Sequence, residues 1–155
     1  MSLGQLKATN EQMAVTHLFM DSVDKLDRYQ FWECLCTENK GFLIGLFSCE
    51  DERLATLYQN EEITIDDIGK QLEELILILR NHWEGTYIPH YGIATNVIVK
   101  DDSRVYAKVL PNIQTKIHVI ADFEVKVTPI PLVKEIEDNL IVWKVDYIRL
   151  NKQVF

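Results

Sequence analysis

Two polar side chains that could do chemistry, His90 and Asn96, lie in the stretch PHYGIATNVIVKDD, which is otherwise an apolar alternating run. An imidazole can give or take a proton near neutral pH, and an amide can orient a bound carbonyl or hydroxyl group. On a regular strand both residues would share one face with Ala94 and Ile98. The plainer interpretation, which we favour, is that His90 is a partly exposed loop residue and that Asn96 hydrogen-bonds a neighbouring backbone.

A second polar group, Asp27, Tyr29 and Gln30, opens the segment DRYQFWECL. If these side chains face a pocket, a carboxylate and a phenol could polarise a carbonyl or hydroxyl group of a ligand. The alternative, which we again favour, is that Asp27 is simply the N-cap of a short helix. The candidate catalytic residues are therefore His90 as acid and base and Asp27 or Tyr29 as its helper, with Asn96 orienting the ligand.

The other candidate ligand-binding residues are mostly aromatic. Aromatic side chains are large apolar groups that usually build the core, so most of them are expected to pack there. Pocket walls are made of core residues, and two or three of these side chains would then also touch a ligand. The candidates for ligand binding are Asn96, Trp32, Phe19, Phe31, Tyr91 and Gln30.

Metal and cofactor chemistry has little support in the sequence. The four histidines lack the spacing of a metal site, and Cys34 and Cys36 are only two residues apart, with no histidine following at ligand distance. The chain also lacks a phosphate-binding loop and a Gly-x-Ser-x-Gly elbow. We therefore expect no metal, no cofactor and reduced thiols in a cytoplasmic protein.

The first half of the chain has the apolar period of helices, near 3.6 residues. This period predicts helices over residues 10–27, 28–35 and 66–83, with Asn10 as a plausible N-cap for the first. The compact run GFLIGLF, residues 41–47, is short and contains two glycines, and its length favours a buried strand.

The second half has the period of two that is typical of strands. It predicts strands at about 91–100, 104–110, 114–128 and 140–150. The last of these is apolar on both faces, which indicates a central strand or one covered by a second subunit. Helices followed by an antiparallel meander give the α+β class.

The expected architecture is three N-terminal helices packed on a strongly curved antiparallel sheet of four to six strands. Such a sheet would form a cone with an internal apolar pocket. The length of 155 residues suggests one domain, which we place at residues 10–155. Residues 1–9 are expected to be disordered or, for Met1 to Leu3, a cloning remnant.

The order of elements and three motifs resemble the nuclear-transport-factor-two-like superfamily, and within it the SnoaL-like group, over residues 10–150. The motifs are LDRYQFWECL on a helix, GIATNVIVKDDSRVYAKV on a strand-turn-strand and LIVWKVDYIRL on the closing strand. The resemblance implies the cone fold of scytalone dehydratase and ketosteroid isomerase relatives. It also implies a homodimer formed through the outer face of the sheet.

The chain departs from this family at two pocket positions. The frequent pocket aspartate of the family falls at Gln30, and its usual histidine falls at Gly92, two residues after His90. A glutamine cannot abstract a proton at neutral pH, so the acid and base pair of the family is not reproduced in register.

The charge balance excludes some partners. There are 16 basic and 24 acidic residues, a formal charge of −8. Phosphate backbones and anionic lipids both attract clustered Lys and Arg, so nucleic-acid and membrane binding are disfavoured. The sequence has no apolar run of about eighteen residues or more, and its start, MSLGQLKATNEQ, lacks the apolar region of a secretory signal.

Three functions are consistent with these features. The first is a cofactor-independent lyase or isomerase that acts on a small apolar cyclic or carbonyl compound. The second is a non-catalytic module that binds a small hydrophobic molecule, as Gln30 and Gly92 suggest. The third is a structural subunit resembling the small subunit of ring-hydroxylating dioxygenases, to which the resemblance also extends. We lean towards the first.

Overall fold

A computed structural model describes residues 4–111 and 127–154, and its architecture is α+β. The strands and helices of the described chain follow in order: β1 Gln5–Lys7, α1 Asn10–Lys25, α2 Arg28–Cys34, α3 Thr37–Phe47, α4 Glu52–Gln59, a 3-10 helix Ile65–Ile68, α5 Gly69–Trp83, β2 Gly92–Asp101, β3 Arg104–Leu110, β4 Thr128–Glu137, β5 Leu140–Val145 and α6 Tyr147–Val154.

The sheet has five antiparallel strands in the order β1 to β5, and within the described chain it is open, with β1 and β5 at its edges. One face carries the core. Val97 pairs with Ala107, and Ala107 with Ile130, so that buried side chains line up across β2, β3 and β4. We call this the inner face. Helix α1 lies against it, and α2 and α5 pack against α1.

Local sequence explains the bounds of α1. Thr9, not Asn10, is the N-cap, and Thr9 and Gln12 form a capping box with backbone-to-side-chain hydrogen bonds of 2.9 and 3.1 Å. The helix ends at Leu26, which has a left-handed φ of 54°. Between them Val15, Phe19 and Val23 recur every four residues and are buried, as the sequence pattern predicts.

The prediction of a strand at residues 41–47 is wrong, because these residues belong to α3. Leu43, Ile44 and Phe47 are buried, whereas Phe42 and Leu46 are about half exposed. Buried positions spaced by one and three residues define one side of a helix, not the alternate positions of a strand.

The prediction of a strand over residues 140–150 holds only as far as Val145, where β5 ends and α6 begins almost at once. Asp146 stops the strand, because its carboxylate accepts a hydrogen bond from the Arg149 N–H, 3.2 Å away, as an N-cap does. Tyr147 and Leu150 are three residues apart and buried within the same chain. The apolar residues on both faces of the predicted last strand are therefore partly explained by the change from β5 to α6. They are not evidence for a second subunit, and a homodimer through the sheet stays a prediction.

Two strands of the sheet, β1 and β4, were not predicted from the sequence. Residues 5–7, predicted to be disordered, form β1 and pair with residues 96–98 of β2. Strand β4 contains Pro129 and Pro131, which lack an N–H group and are uncommon inside strands. The strand predicted at 114–128 falls almost wholly on residues outside those described.

The helices of residues 4–111 and 127–154 are all too short or too polar to cross a lipid bilayer.

Candidate functional site

An open groove of about 620 Å³ runs between α1 and the segment that leads into β2. We call it the histidine groove. Its α1 residues recur at helical spacing, so they share one side of the helix. It is lined by Asn10, Met13, Ala14, His17, Asp21, Pro89, His90, Tyr91 and Ile93.

The histidine groove contains a hydrogen-bonded pair, His17 and Tyr91. The Tyr91 hydroxyl oxygen lies 2.6 Å from Nδ1 of His17 and 3.1 Å from the His17 carbonyl oxygen. The two rings are tilted, with centroids 5.8 Å apart. The hydroxyl has one proton, so it can donate to only one of these two acceptors. When it donates to the carbonyl oxygen, the hydroxyl oxygen can accept a hydrogen bond from Nδ1–H of His17.

The hydroxyl of Tyr91 is a hydrogen-bond donor and not a base at neutral pH. Burial, together with the smaller effect of the negative charges of Asp21 and Asp24, raises the pKa of Tyr91 to about 12. A phenol of this pKa holds its proton over the physiological range. Asp21 itself is paired with Lys25, whose Nζ lies 3.0 Å from Oδ2.

His90 lies in the histidine groove but not on a strand. It is exposed, in a bend that follows the cis peptide bond between Ile88 and Pro89, and β2 begins only at Gly92. The parity argument that put His90 and Asn96 on one strand face therefore fails. Asn96 alternates with buried Val97, so it points away from the inner face.

The neighbours of Asn96 confirm this orientation. Its side-chain amide donates to the Gln5 side chain on β1, 2.9 Å away, and Lys108 Nζ lies 3.1 Å from the same Gln5 oxygen. Asn96 thus joins the edge strand β1 to the sheet with a side-chain hydrogen bond. It does not line the histidine groove.

The other two candidate catalytic residues, Asp27 and Tyr29, lie at the start of α2. Asp27 is the N-cap, and its carboxylate accepts from the Gln30 N–H at 3.1 Å. The half-exposed Tyr29 donates its hydroxyl proton to Asp66 in the 3-10 helix. Neither residue lines the histidine groove, so the structure does not bring them together with His90.

Three of the candidate ligand-binding aromatics are core residues. Phe19 and Phe31 are fully buried and stacked, with ring centroids 5.3 Å apart, and Trp83 meets Phe19 edge-on at 6.3 Å. Trp32 is also buried, with Lys40 Nζ 6.0 Å from its ring centroid. Of the candidate aromatics, Tyr91 is the one that lines a described groove.

A second groove, of about 330 Å³, lies on the other side of α1 between α1, α2 and β5. We call it the tryptophan groove. Gln30 lines it, and the Gln30 amide also donates to the Leu18 carbonyl at 2.8 Å. Ala14 lines both grooves, so α1 separates them. The lining residues are Glu11, Ala14, Val15, Leu18, Gln30, Glu33, Cys34, Val142, Trp143 and Lys144.

The sequence analysis missed the roles of His17, Asp21 and Trp143. The sequence did indicate that His17 and Asp21 lie together, because positions i and i+4 of a helix share one face and both residues lie off the apolar stripe of α1. No local signal pairs His17 with Tyr91, because 74 residues separate them.

The described residues include no cluster of three His, Cys, Asp or Glu that could hold a metal ion. Burial raises the pKa of Cys34 to about 12 and that of Cys36 to about 11. Both thiols therefore stay protonated at neutral pH, and a protonated thiol is neither a nucleophile nor a metal ligand.

These features define an α+β protein with an open antiparallel sheet and two surface grooves flanking α1. Comparisons with models of protein families, with curated proteins and with solved structures found no match. The resemblance to the SnoaL-like group therefore stays a prediction.

Proposed function

We propose that the protein is a non-catalytic binding module, whose histidine groove holds a small, mostly apolar molecule that carries one hydrogen-bonding group. The observation that carries this proposal is the Tyr91 hydroxyl, held 2.6 Å from His17 Nδ1 in a groove of about 620 Å³. Small-molecule sites combine an apolar concave surface with a few polar groups at fixed positions.

The lining of the histidine groove matches that description. Met13, Ala14, Pro89 and Ile93 supply apolar surface, and His17, His90 and Tyr91 supply hydrogen-bonding groups. The two contacts with His17 hold the Tyr91 hydroxyl oxygen in place and engage its one proton before a ligand arrives. A positioned polar group loses little entropy on binding, and the lone pair left on the Tyr91 oxygen favours recognition of a ligand hydroxyl or N–H group that donates to it.

The groove also supports the cone implied by the resemblance to the SnoaL-like group. Ile93 pairs with Val109, whose side chain is fully buried on the inner face. The groove therefore borders the inner face of the sheet at the start of β2. We include in the proposal that the groove is the mouth of the apolar pocket expected there.

The carboxylates favour binding over catalysis. Asp27 is used as a helix cap, and Asp21 is paired with Lys25 at 3.0 Å. Tyr91, with its pKa raised to about 12, stays protonated. General acid–base chemistry needs a group that changes protonation near neutral pH, and a phenol with the pKa of Tyr91 does not do so.

The experiment is a calorimetric titration of the wild-type protein and Tyr91→Phe with a panel of small cyclic alcohols, and with the matching ketones as analogues that cannot donate a hydrogen bond to Tyr91. We expect at least one compound to bind, and Tyr91→Phe to weaken that binding about fivefold to tenfold, the worth of one hydrogen bond of about 1 kcal/mol. Tyr58→Phe is the matched control, because Tyr58 is half exposed on α4 outside this groove. Equal affinity of Tyr91→Phe and wild type would remove the proposal.

A second function, a cofactor-independent lyase or isomerase, is supported by one observation: His17, His90 and Tyr91 line the same groove. In that case any compound that binds would be converted, and the rate would show a limb near the pKa of an imidazole. His90→Ala and His17→Ala separate the two functions, because turnover that survives both substitutions excludes acid–base catalysis by the imidazoles.

A further inference from the structure

We propose that the tryptophan groove is a separate site for an organic cation, an amine with an apolar aromatic or branched aliphatic body. The groove is distinct from the histidine groove, because α1 lies between them and Ala14 is the one lining residue that they share. This proposal therefore does not depend on the proposed function.

The floor of the tryptophan groove is apolar. Ala14, Val15 and Leu18 of α1 face Val142 and Trp143 of β5 across it. Leu18 is 44% exposed, so part of its apolar surface is open to the groove. A volume of about 330 Å³ accommodates a single-ring compound, and its apolar body would cover Leu18.

The charges around this floor select a cation. Glu11 on α1 and Glu33 on α2 line the groove and are exposed, and neither carboxylate makes an ion pair with a residue in the described ranges. The lining cation, Lys144, is already engaged: its Nζ donates to the Glu33 carbonyl at 2.8 Å and lies 3.3 Å from Glu137. The open side of the groove is therefore left with an excess of negative charge, and the formal charge of −8 of the whole chain acts in the same direction.

Trp143 supplies the third element of cation recognition, the face of an indole ring. Lys134 Nζ lies 5.6 Å from the centroid of this ring, so the ring already attracts one ammonium group of the chain. A ligand ammonium in the groove would experience the same attraction, together with repulsion from Lys134. Removal of Lys134 should therefore strengthen binding of a cation and leave binding of a neutral analogue unchanged.

The probes are 4-tert-butylbenzylamine, which is protonated at pH 7, and 4-tert-butylbenzyl alcohol, which has the same body without the charge. Each is titrated into the full chain at low salt, with tryptophan fluorescence and calorimetry as readouts. We expect the amine to bind at least fivefold more tightly than the alcohol, and its affinity to fall as salt is added, because the carboxylates are exposed.

Charge-neutralising variants locate the site. Glu11→Gln and Glu33→Gln should each weaken amine binding about twofold to fivefold, the effect typical of one exposed ion pair. Lys134→Met should strengthen it by a similar factor. Glu38→Gln, on the exposed side of α3, is the matched control and should have no effect beyond that of a remote charge.

Two results would overturn this proposal: equal binding of the amine and the alcohol, or amine binding that Glu11→Gln and Glu33→Gln leave unchanged. Tyr91→Phe distinguishes it from the proposed function, since that substitution lies in the other groove and should leave amine affinity as in the wild type.

Discussion

At the scale of single residues, Asn39 connects two helices that are far apart in the chain. It is almost fully buried, and its amide nitrogen lies 2.8 Å from Cys36 Sγ and 3.2 Å from Asp146 Oδ1. Its carbonyl oxygen accepts from the Ile148 N–H at 2.8 Å. The first N–H groups of a helix have no partner within the helix, so Asn39 on α3 satisfies one at the start of α6.

Asn39→Ala should lower the free energy of unfolding by about 1–3 kcal/mol, because it leaves the part-buried Ile148 N–H without its acceptor. The measurement is urea unfolding followed by circular dichroism. Asn81→Ala, on the exposed surface of α5, is the control and should stay within about 0.5 kcal/mol of wild type. A small effect at Asn39 would mean that α6 docks without this hydrogen bond.

Local side-chain roles could be predicted from the sequence, whereas long-range ones could not. Asp27 was favoured as an N-cap and is one, because a cap depends on residues three positions away. The pairs Tyr91 with His17 and Tyr29 with Asp66 span 74 and 37 residues. Such contacts depend on how the elements pack, and residue types in one sequence do not encode that packing directly.

At the scale of elements, segments with a clear apolar period were predicted, the short helix α2 among them, whereas the ambiguous run of α3 and the strands β1 and β4 were not. Helix α5 and strands β2 and β3 repeat their pattern often enough for the period to be read. The run GFLIGLF, residues 41–47, is apolar at five of seven positions, so it fits either period. Tertiary packing selects the helix over the strand here, because one side of α3, including Leu43 and Phe47, packs in the core.

Gly45 tests the helical assignment of α3 directly. It lies in the last turn of the helix, is exposed, and has no heavy atom within 4 Å of the position that a Cβ would occupy. Gly45→Ala should therefore raise the free energy of unfolding by about 0.5–1 kcal/mol, the difference in helix propensity between the two residues.

The contrasting variant is Gly85→Ala, measured in the same thermal and urea unfolding experiments. Gly85 has a φ of 84°, a conformation that costs a residue with a Cβ about 1 kcal/mol or more. The two substitutions should have opposite signs. If Gly45→Ala instead destabilised the protein, residues 41–47 would not be helical in solution.

At the scale of the whole molecule, the α+β class was predicted correctly because the two apolar periods occupy different halves of the chain. The edges of the sheet were less accessible to sequence reasoning. Strand β1 has three residues, all exposed, so no burial pattern marks it. Its partner, β2, is what makes it a strand, through the pairs of residues 5–7 with residues 96–98.

The assembled core also sets how stability depends on pH, because it holds weak acids in their neutral forms. The thiols of Cys34 and Cys36 are buried, and burial raises their pKa from 9.0 to about 12 and about 11. In the unfolded chain the same thiols lose their protons near pH 9. The folded state therefore binds more protons than the unfolded state above that pH.

The contribution of the two thiols to the free energy of unfolding should therefore be constant below about pH 8 and fall as pH rises through 9 towards 11, since proton binding favours the folded state in that window. Each thiol contributes a slope of about 1.4 kcal/mol per pH unit there. Cys34→Ala should lose one such slope in urea unfolding between pH 8 and 10.5, whatever it does to stability at pH 7. Cys49→Ala should keep the wild-type slope, because Cys49 is exposed. Identical slopes for Cys34→Ala and wild type would show that the core admits water to these thiols, and that α2 and β5 are not packed as tightly around Cys34 as its 4% exposure indicates.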